Sequence, residues 1–212
     1  MATFFELEID SLTASFEQKQ VLRGVYCKIR SGRIVGIIGR NGCGKSTLYN
    51  SLYGTNKKSS ETVRLDGIFI PKKERFKYIS YLPQLPFLPG SIKVKKAISI
   101  LVKNYKETEL IWDERIQGML NKKIWMLSGG EQRYLEIHII ASLQRPFIVL
   151  DEPFTKLEPI YTDKVCEKLK GMSQKGIIIS DHNIRKMKAV CDEIHYLDNG
   201  ILREYVYSKE ER

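Results

Sequence analysis

Short runs of branched apolar residues alternate along this chain with longer stretches whose apolar residues recur at helical spacing. That alternation predicts an α/β fold. Residues 3–9, TFFELEI, and 25–30, VYCKIR, place apolar and polar side chains in turn, as a strand with one buried face does. Residues 33–39, RIVGIIG, are continuously apolar and end on glycine, which predicts a strand covered on both faces. Residues 46–54, STLYNSLYG, open with hydroxyl side chains and close on glycine, the marks of a helix after a tight turn. Further strands are predicted at 62–70, 77–82, 147–151, 177–180, 194–198 and 201–207. Between residues 84 and 146 the pattern changes. The proline-punctuated PQLPFLPG gives way to helical spacing at 92–105 and 107–120, and a third helix is predicted over 130–143. The chain is therefore expected to form one domain, residues 1–212, with a helical insertion at about 84–146 between the two halves of a sheet-containing core, 1–83 and 147–212. The terminal YSKEER reads as a frayed end.

Composition narrows the class. Hydrophobic residues make up 42% of the 212 and charged residues 28%, a globular balance. The longest apolar runs, at 34–38, 147–150 and 177–179, are strand-sized and far below the roughly 18 residues of a membrane span. The N-terminus carries early acidic residues and no basic segment, so a secretory signal is not expected. A cytosolic protein is expected, one that can still sit on a membrane protein. The four cysteines, Cys27, Cys43, Cys166 and Cys191, lack the paired spacing of a zinc site or a disulfide framework. Net charge is +10, and much of the excess lies in NKKSS, PKKERFK, IKVKK and LNKK, all before residue 124. No single-strand-binding pattern of aromatics interleaves these clusters, so nucleic acid is not an expected partner and a solvated face accounts for them.

Three stretches carry chemistry. GRNGCGKST, residues 39–47, follows an apolar strand, opens a helix and fits G-x-x-x-x-G-K-[ST] at Gly39, Gly44, Lys45 and Ser46. The glycines let backbone N–H groups approach phosphate oxygens, Lys45 adds a positive charge, and the Ser46 hydroxyl can ligate Mg²⁺. The loop alone leaves kinase, GTPase, ATPase and recombinase open. PFIVLDEP, residues 146–153, is an apolar strand that ends in Asp151 and Glu152, where carboxylates can meet solvent or ligand. Asp151 suits Mg²⁺, directly or through its ligands, and Glu152 suits orienting or deprotonating a water, which points to a hydrolase. Finally LSGGEQ, residues 127–132, is a second glycine-containing, helix-opening segment able to bring N–H groups to an anion.

In this order the motifs resemble those of ATP-binding cassette (ABC) ATPases, the nucleotide-binding subunits of ABC transporters, over almost the whole chain. GRNGCGKST is similar to the Walker A motif, FIVLDE to Walker B, and LSGGEQ to the family signature. The resemblance implies a P-loop NTPase core with a mixed or parallel sheet, an N-terminal antiparallel β subdomain and an inserted helical subdomain. It implies ATP and Mg²⁺ as ligands. Asn41, Gly42, Cys43 and Thr47 join the ATP-binding loop. Phe16 stands where the family stacks an aromatic on adenine, although a core position in an N-terminal sheet is the competing reading. Gln84 stands at the Q-loop position, where it would reach the metal or water and couple nucleotide state to the helices; a plain loop residue is the alternative. His182, after the strand GIIIS, stands at the switch histidine, whereas His138 and His195 read as structural.

The resemblance further implies a head-to-tail dimer. Leu127, Ser128, Gly129, Gly130, Glu131 and Gln132 of one chain would then face the ATP of its partner, either a second copy or a homologous subunit. Leu157 and Glu158 take the D-loop place, where the family has leucine and aspartate; the extra methylene of Glu158 is expected to displace its contact across the dimer. Separate transmembrane permease subunits would dock near Gln84 and the stretch 85–96, on the cytoplasmic face of a membrane. The alternative left by the positive charge is a soluble ABC-type ATPase acting on nucleic acid, ribosomes or another assembly.

Overall fold

The computed structural model describes residues 4–17, 19–105, 110 and 113–205. Two sheets form. The first is antiparallel, ordered β2(Lys19–Arg30), β1(Glu6–Phe16), β4(Ser59–Leu65), β5(Ile68–Phe69). The second is ordered β10(Ile201–Glu204), β9(Glu193–Asp198), β3(Ile34–Ile38), β8(Gly176–Ser180), β7(Phe147–Asp151), β6(Ile79–Leu82), all parallel except for the β9–β10 hairpin. Among the described residues six α-helices connect them: α1(Lys45–Tyr53), α2(Val94–Leu101), α3(Glu114–Met119), α4(Gly129–Ser142), α5(Pro159–Lys170) and α6(Ile184–Val190).

The central strands β3, β7 and β8 are buried at every position, and their side chains alternate between two cores. Val35, Ile37, Phe147, Val149 and Ile178 pack with Leu48, Tyr49 and Leu52 of α1 and with the inner face of the antiparallel sheet. Ile34, Ile38, Ile148, Leu150, Ile177 and Ile179 pack on the other side with α4, α5 and α6. A strand covered on both faces has no polar side to expose, which is why these runs are continuously apolar. The segment between β6 and β7 carries α2, α3 and α4, so the helices predicted between residues 84 and 146 form the crossover of a parallel strand pair.

Several element boundaries differ from the sequence expectation. The strand predicted at 62–70 is a hairpin, because Asp66 and Gly67 take φ of 50° and 80° and turn the chain back. The strands predicted at 3–9 and 25–30 overlap longer ones: β1 begins at Glu6 and continues past Ser11, whose φ of 54° marks an irregularity, and β2 starts at Lys19; residue 3 lies outside the described residues. The helix predicted over 92–105 is ordered as α2 over Val94–Leu101 only. That over 107–120 is α3, Glu114–Met119, begun by Asp113 accepting from Ile116 N; residues 107–109, 111 and 112 lie outside the described residues, as do 206–212. Helices α5 and α6 had no counterpart in the sequence reading.

One buried ion pair joins the two sheets' connections. Arg75 Nη1 lies 2.6 Å from Glu61 Oε1 on β4 and donates to the Ser51 carbonyl of α1 at 2.6 Å, with both charged side chains shielded from solvent. Lys72 Nζ approaches the same carboxylate at 3.4 Å. Removing one partner strands the other, whereas removing both does not. Arg75→Met is therefore expected to cost roughly 3 kcal/mol in urea unfolding, and Glu61→Leu/Arg75→Met to recover most of that loss.

Candidate functional site

The strand ends decide where the chemistry gathers. β3 leads into the glycine-rich loop, β7 ends in Asp151 and Glu152, and β8 leads into Asp181 and His182. Because these strands are parallel and adjacent, with Ile37 and Asp151 both paired to Ser180, their C-terminal ends open on one edge of the sheet.

A cavity of about 930 Å³ lies on that edge, lined among others by Phe16, Asn41 to Thr47, Gln84, Glu152 and His182. Gly44, the N-cap of α1, sits at φ 112°, and a Cβ there would meet Val21 Cγ1 at 2.9 Å, so β2 packs on the loop only because the residue is glycine. Lys45 is buried, and its Nζ donates to the Gly39 and Arg40 carbonyls at 2.9 and 3.3 Å, curling the loop around the ammonium. Gly39 closes β3 behind the lining residues.

Glu152 is 7% exposed and adopts φ of 50°, a conformation costly for a non-glycine residue. Its backbone N–H donates to the Ser180 carbonyl at 3.0 Å, which turns the side chain toward the cavity. There Gln84 Nε2 donates to Oε2 at 2.9 Å, and His182 Nε2 lies 2.6 Å from Oε1. The three residues singled out separately in the sequence thus form one hydrogen-bonded group.

Asp151 lies behind, 1% exposed, with Oδ1 accepting from Ser180 Oγ at 3.0 Å. Burial raises its carboxyl above the usual carboxylate range, against the pull of the Ser46 and Ser180 hydroxyls. Its Oδ2 is buried with no hydrogen-bond partner among the described residues. An unsatisfied buried carboxylate oxygen beside a serine hydroxyl fits a hard cation that takes few protein ligands, as Mg²⁺ does.

LSGGEQ lies elsewhere. Ser128 caps α4: its Oγ accepts from Glu131 N at 3.1 Å, and Glu131 Oε2 accepts from Ser128 N at 2.8 Å. That backbone hydrogen bond holds the Glu131 carboxyl below the usual carboxylate range. Leu127 is buried, Ser128 and Gly129 are exposed, Gly130 lies against the Lys156 carbonyl, and Gln132 Nε2 donates to Glu136 at 3.3 Å. None of residues 127–132 lines the cavity. Leu157 packs against the core, and Glu158 begins α5 with its Oε1 3.8 Å from Arg115 Nη2 of the same chain.

The sequence reading overlooked several residues. Lys19, Gln20, Val21 and Arg23 line the cavity from the start of β2. Arg40, Tyr196, Asp198, Asn199 and Gly200 line it as well. Arg133 carried no sequence signal: its Nη2 donates to the Asp151 and Glu152 carbonyls at 2.5 and 3.0 Å, and its Nη1 to the Pro83 carbonyl at 2.7 Å. His138 stacks on Tyr134 inside α4, and burial depresses its pKa to about 4. Its Nδ1 faces the Tyr134 carbonyl at 2.9 Å, and Asp113 lies 3.9 Å from Nε2.

A family model described as ABC transporter matches residues 22–155. The lipopolysaccharide export system ATP-binding protein LptB of Acidithiobacillus ferridurans is 27% identical over 209 residues, covering 92% of this chain and 87% of that protein. The protein of the same name from Escherichia coli (strain K12) is 28% identical over 213 residues, covering 92% and 88%. Among solved structures, an ATP binding subunit of an ABC transporter superposes with a TM-score of 0.84 at 22% identity, over 94% of this chain and 89% of that one. A bacterial Atm1-family ABC exporter with ATP bound superposes at 0.83 and 20% identity, over 96% of this chain and 39% of that one. These two likenesses show the fold.

A pH dependence follows from His138. Its folded pKa of about 4 lies below the ordinary value of 6.5, so its contribution is whole above about 6.5 and is lost as pH falls toward 4. Stability against thermal unfolding is expected to fall over that window by up to about 3 kcal/mol, and His138→Gln to flatten the profile there.

Proposed function

The chain belongs to the ABC transporter family, and on that premise we propose how its residues do the work of an ATP-binding subunit whose ATPase activity is coupled to transport. The observation that carries the reading is the Glu152 carboxylate, held by Gln84 and His182 inside the cavity that the glycine-rich loop also lines. ATP takes that cavity. Its base stacks on Phe16, which is 66% exposed at the cavity rim. The N–H groups of Gly39 to Thr47 and the positive end of α1 face the phosphates, and Lys45 turns from the loop carbonyls to the β- and γ-phosphate oxygens.

Mg²⁺ would be held by Ser46 and Asp151, with the Gln84 amide oxygen as the further ligand, and it supplies charge neutralisation at the phosphates. Glu152 orients a water and takes one of its protons as the water oxygen bonds to the γ-phosphorus. The bond from that phosphorus to the oxygen of the leaving ADP breaks, and inorganic phosphate forms. His182 steadies the carboxylate and meets the γ-phosphate. Each Glu152 oxygen has one partner in the structure and keeps acceptor capacity for a water.

The signature segment completes a second molecule's site. Ser128 and Gly129 are exposed at the start of α4 and stand outside the chain's own cavity, which supports head-to-tail pairing with a second copy or a homologous subunit. Among the described residues no helix is long and apolar enough to cross a membrane; that separate subunits carry the transmembrane path is the reading the family resemblance supplies. Those subunits dock beside Gln84 on the cytoplasmic face. Leu85, 76% exposed, and the exposed Trp125 and Met126 supply apolar contact there, and Trp125 is tied to the loop through its N–H to the Gly90 carbonyl at 3.1 Å. The helical segment 84–146 is the unit that carries both the docking loop and the signature.

Glu152→Gln is expected to lower hydrolysis by roughly 10²–10⁴ while retaining ATP binding and trapping a dimer visible by gel filtration. Unchanged turnover would remove Glu152 from its role. Ser128→Arg is expected to abolish turnover and ATP-dependent dimerisation with ATP binding to the monomer preserved; an active dimer would refute the shared site.

A further inference from the structure

Helix α4 grips the Gln84 loop at both ends. On the near side, Arg133 Nη1 donates to the Pro83 carbonyl at 2.7 Å, next to Gln84. On the far side, Glu136 Oε1 accepts from Phe87 N at 3.0 Å and Leu88 N at 3.4 Å. Both side chains are buried, and they belong to one turn of the helix, with Arg133 Nη1 3.7 Å from Glu136 Oε2. The same Arg133 also holds the carbonyls of Asp151 and Glu152 at 2.5 and 3.0 Å. A guanidinium presents its donors in a rigid planar fork, so these three carbonyls keep a fixed relation to the helix and to one another.

Burying an arginine and a glutamate against backbone is expensive unless every contact is made. An apolar pair of similar volume would fill this part of α4 without that cost. The pair's own ion contact is long and Glu136 Oε2 has no hydrogen-bond partner among the described residues; apart from the Gln132 amide, the pair's hydrogen bonds go to backbone, on either side of Gln84 and at Asp151 and Glu152. What the arrangement secures is the position of the loop relative to Glu152.

Resting on the reading above, we propose that Arg133 and Glu136 are positioning residues that clamp the Gln84 loop to α4 and so set where the Gln84 amide stands against Glu152. The N-terminus of α4 is the signature segment. Leu85 lies between the two clamped ends, so an occupant of the docking face acts on the same loop.

The test is a double-mutant cycle on Mg²⁺-ATP turnover by the full chain. Glu136→Gln keeps the acceptor oxygen that faces Phe87 and Leu88 and is expected to stay within about twofold of the parent. Glu136→Ala is expected to lower kcat about five- to tenfold with the ATP dissociation constant within about twofold. In a Gln84→Ala background the same Glu136→Ala change is expected to alter kcat less than about twofold, because the contact it controls is already gone. Arg133→Lys, which replaces the fork with a single ammonium, is expected to behave as Glu136→Ala does and to show the same dependence on Gln84. Equal fold losses with and without Gln84, or a lowered melting temperature with kcat unchanged, would overturn the clamp. Failure of the underlying reading is seen separately, as turnover that survives Glu152→Gln.

Discussion

Parallel pairing of β3, β8 and β7 is the constraint on which the rest of this protein depends. Three strands in one direction and adjacent register must finish on one edge, so whatever residues follow them are neighbours in space. Here those followers are a glycine-rich loop, a pair of carboxylates and a histidine. The glycine-rich loop precedes the carboxylates by more than a hundred residues and the histidine follows Glu152 by 30, so no local interaction could bring them together. The apolar runs that make each strand buried on both faces are therefore also what assembles the site. Any change that shifted the β7–β8 register by one residue would turn Asp151 and Glu152 to the wrong faces before it altered their chemistry.

Legibility in the sequence followed the range of the physics. Buried central strands announced themselves, because a strand with two covered faces must be apolar throughout. The phosphate loop was legible because its glycines answer to local steric demands, as Gly44 does beside Val21. Where turns and hydrogen bonds with distant partners decide, the sequence said less. The hairpin between β4 and β5 was hidden in a run read as one strand, although Asp66 and Gly67 are a turn pair. Arg133 was invisible because its partners are backbone carbonyls, which carry no residue identity. The grouping of Gln84, Glu152 and His182 could be anticipated only through the family resemblance; spacing alone gave no reason for it.

Glu158 is a position at which the family resemblance leads us to expect a departure. Its carboxylate lies toward Arg115 of α3, and that guanidinium stacks at 3.3 Å on the ring of Tyr161. Such a partly exposed pair is worth at most about 1 kcal/mol, yet it orients the side chain within its own molecule. The longer side chain reaches a neighbour in the helical segment. Together with the buried grip of α4 on the Gln84 loop, this leaves the helical segment joined to the catalytic edge by polar contacts of very different strength. The weak one can exchange partners at little cost, and the buried one cannot.

The Ser128 cap has a last consequence. The positive end of α4 already has a carboxylate at it, because Glu131 folds back onto the Ser128 amide. A dissolved anion arriving there meets the like charge of Glu131 and finds two donors, Ser128 N and Glu131 N, already taken, so phosphate or sulfate at ordinary concentrations gains less by lodging. Only an anion delivered in a fixed position, with its own cation and its own protein scaffold, can displace the resident acid. The helix start thereby ignores the salt of its surroundings, a selectivity achieved by keeping the seat taken.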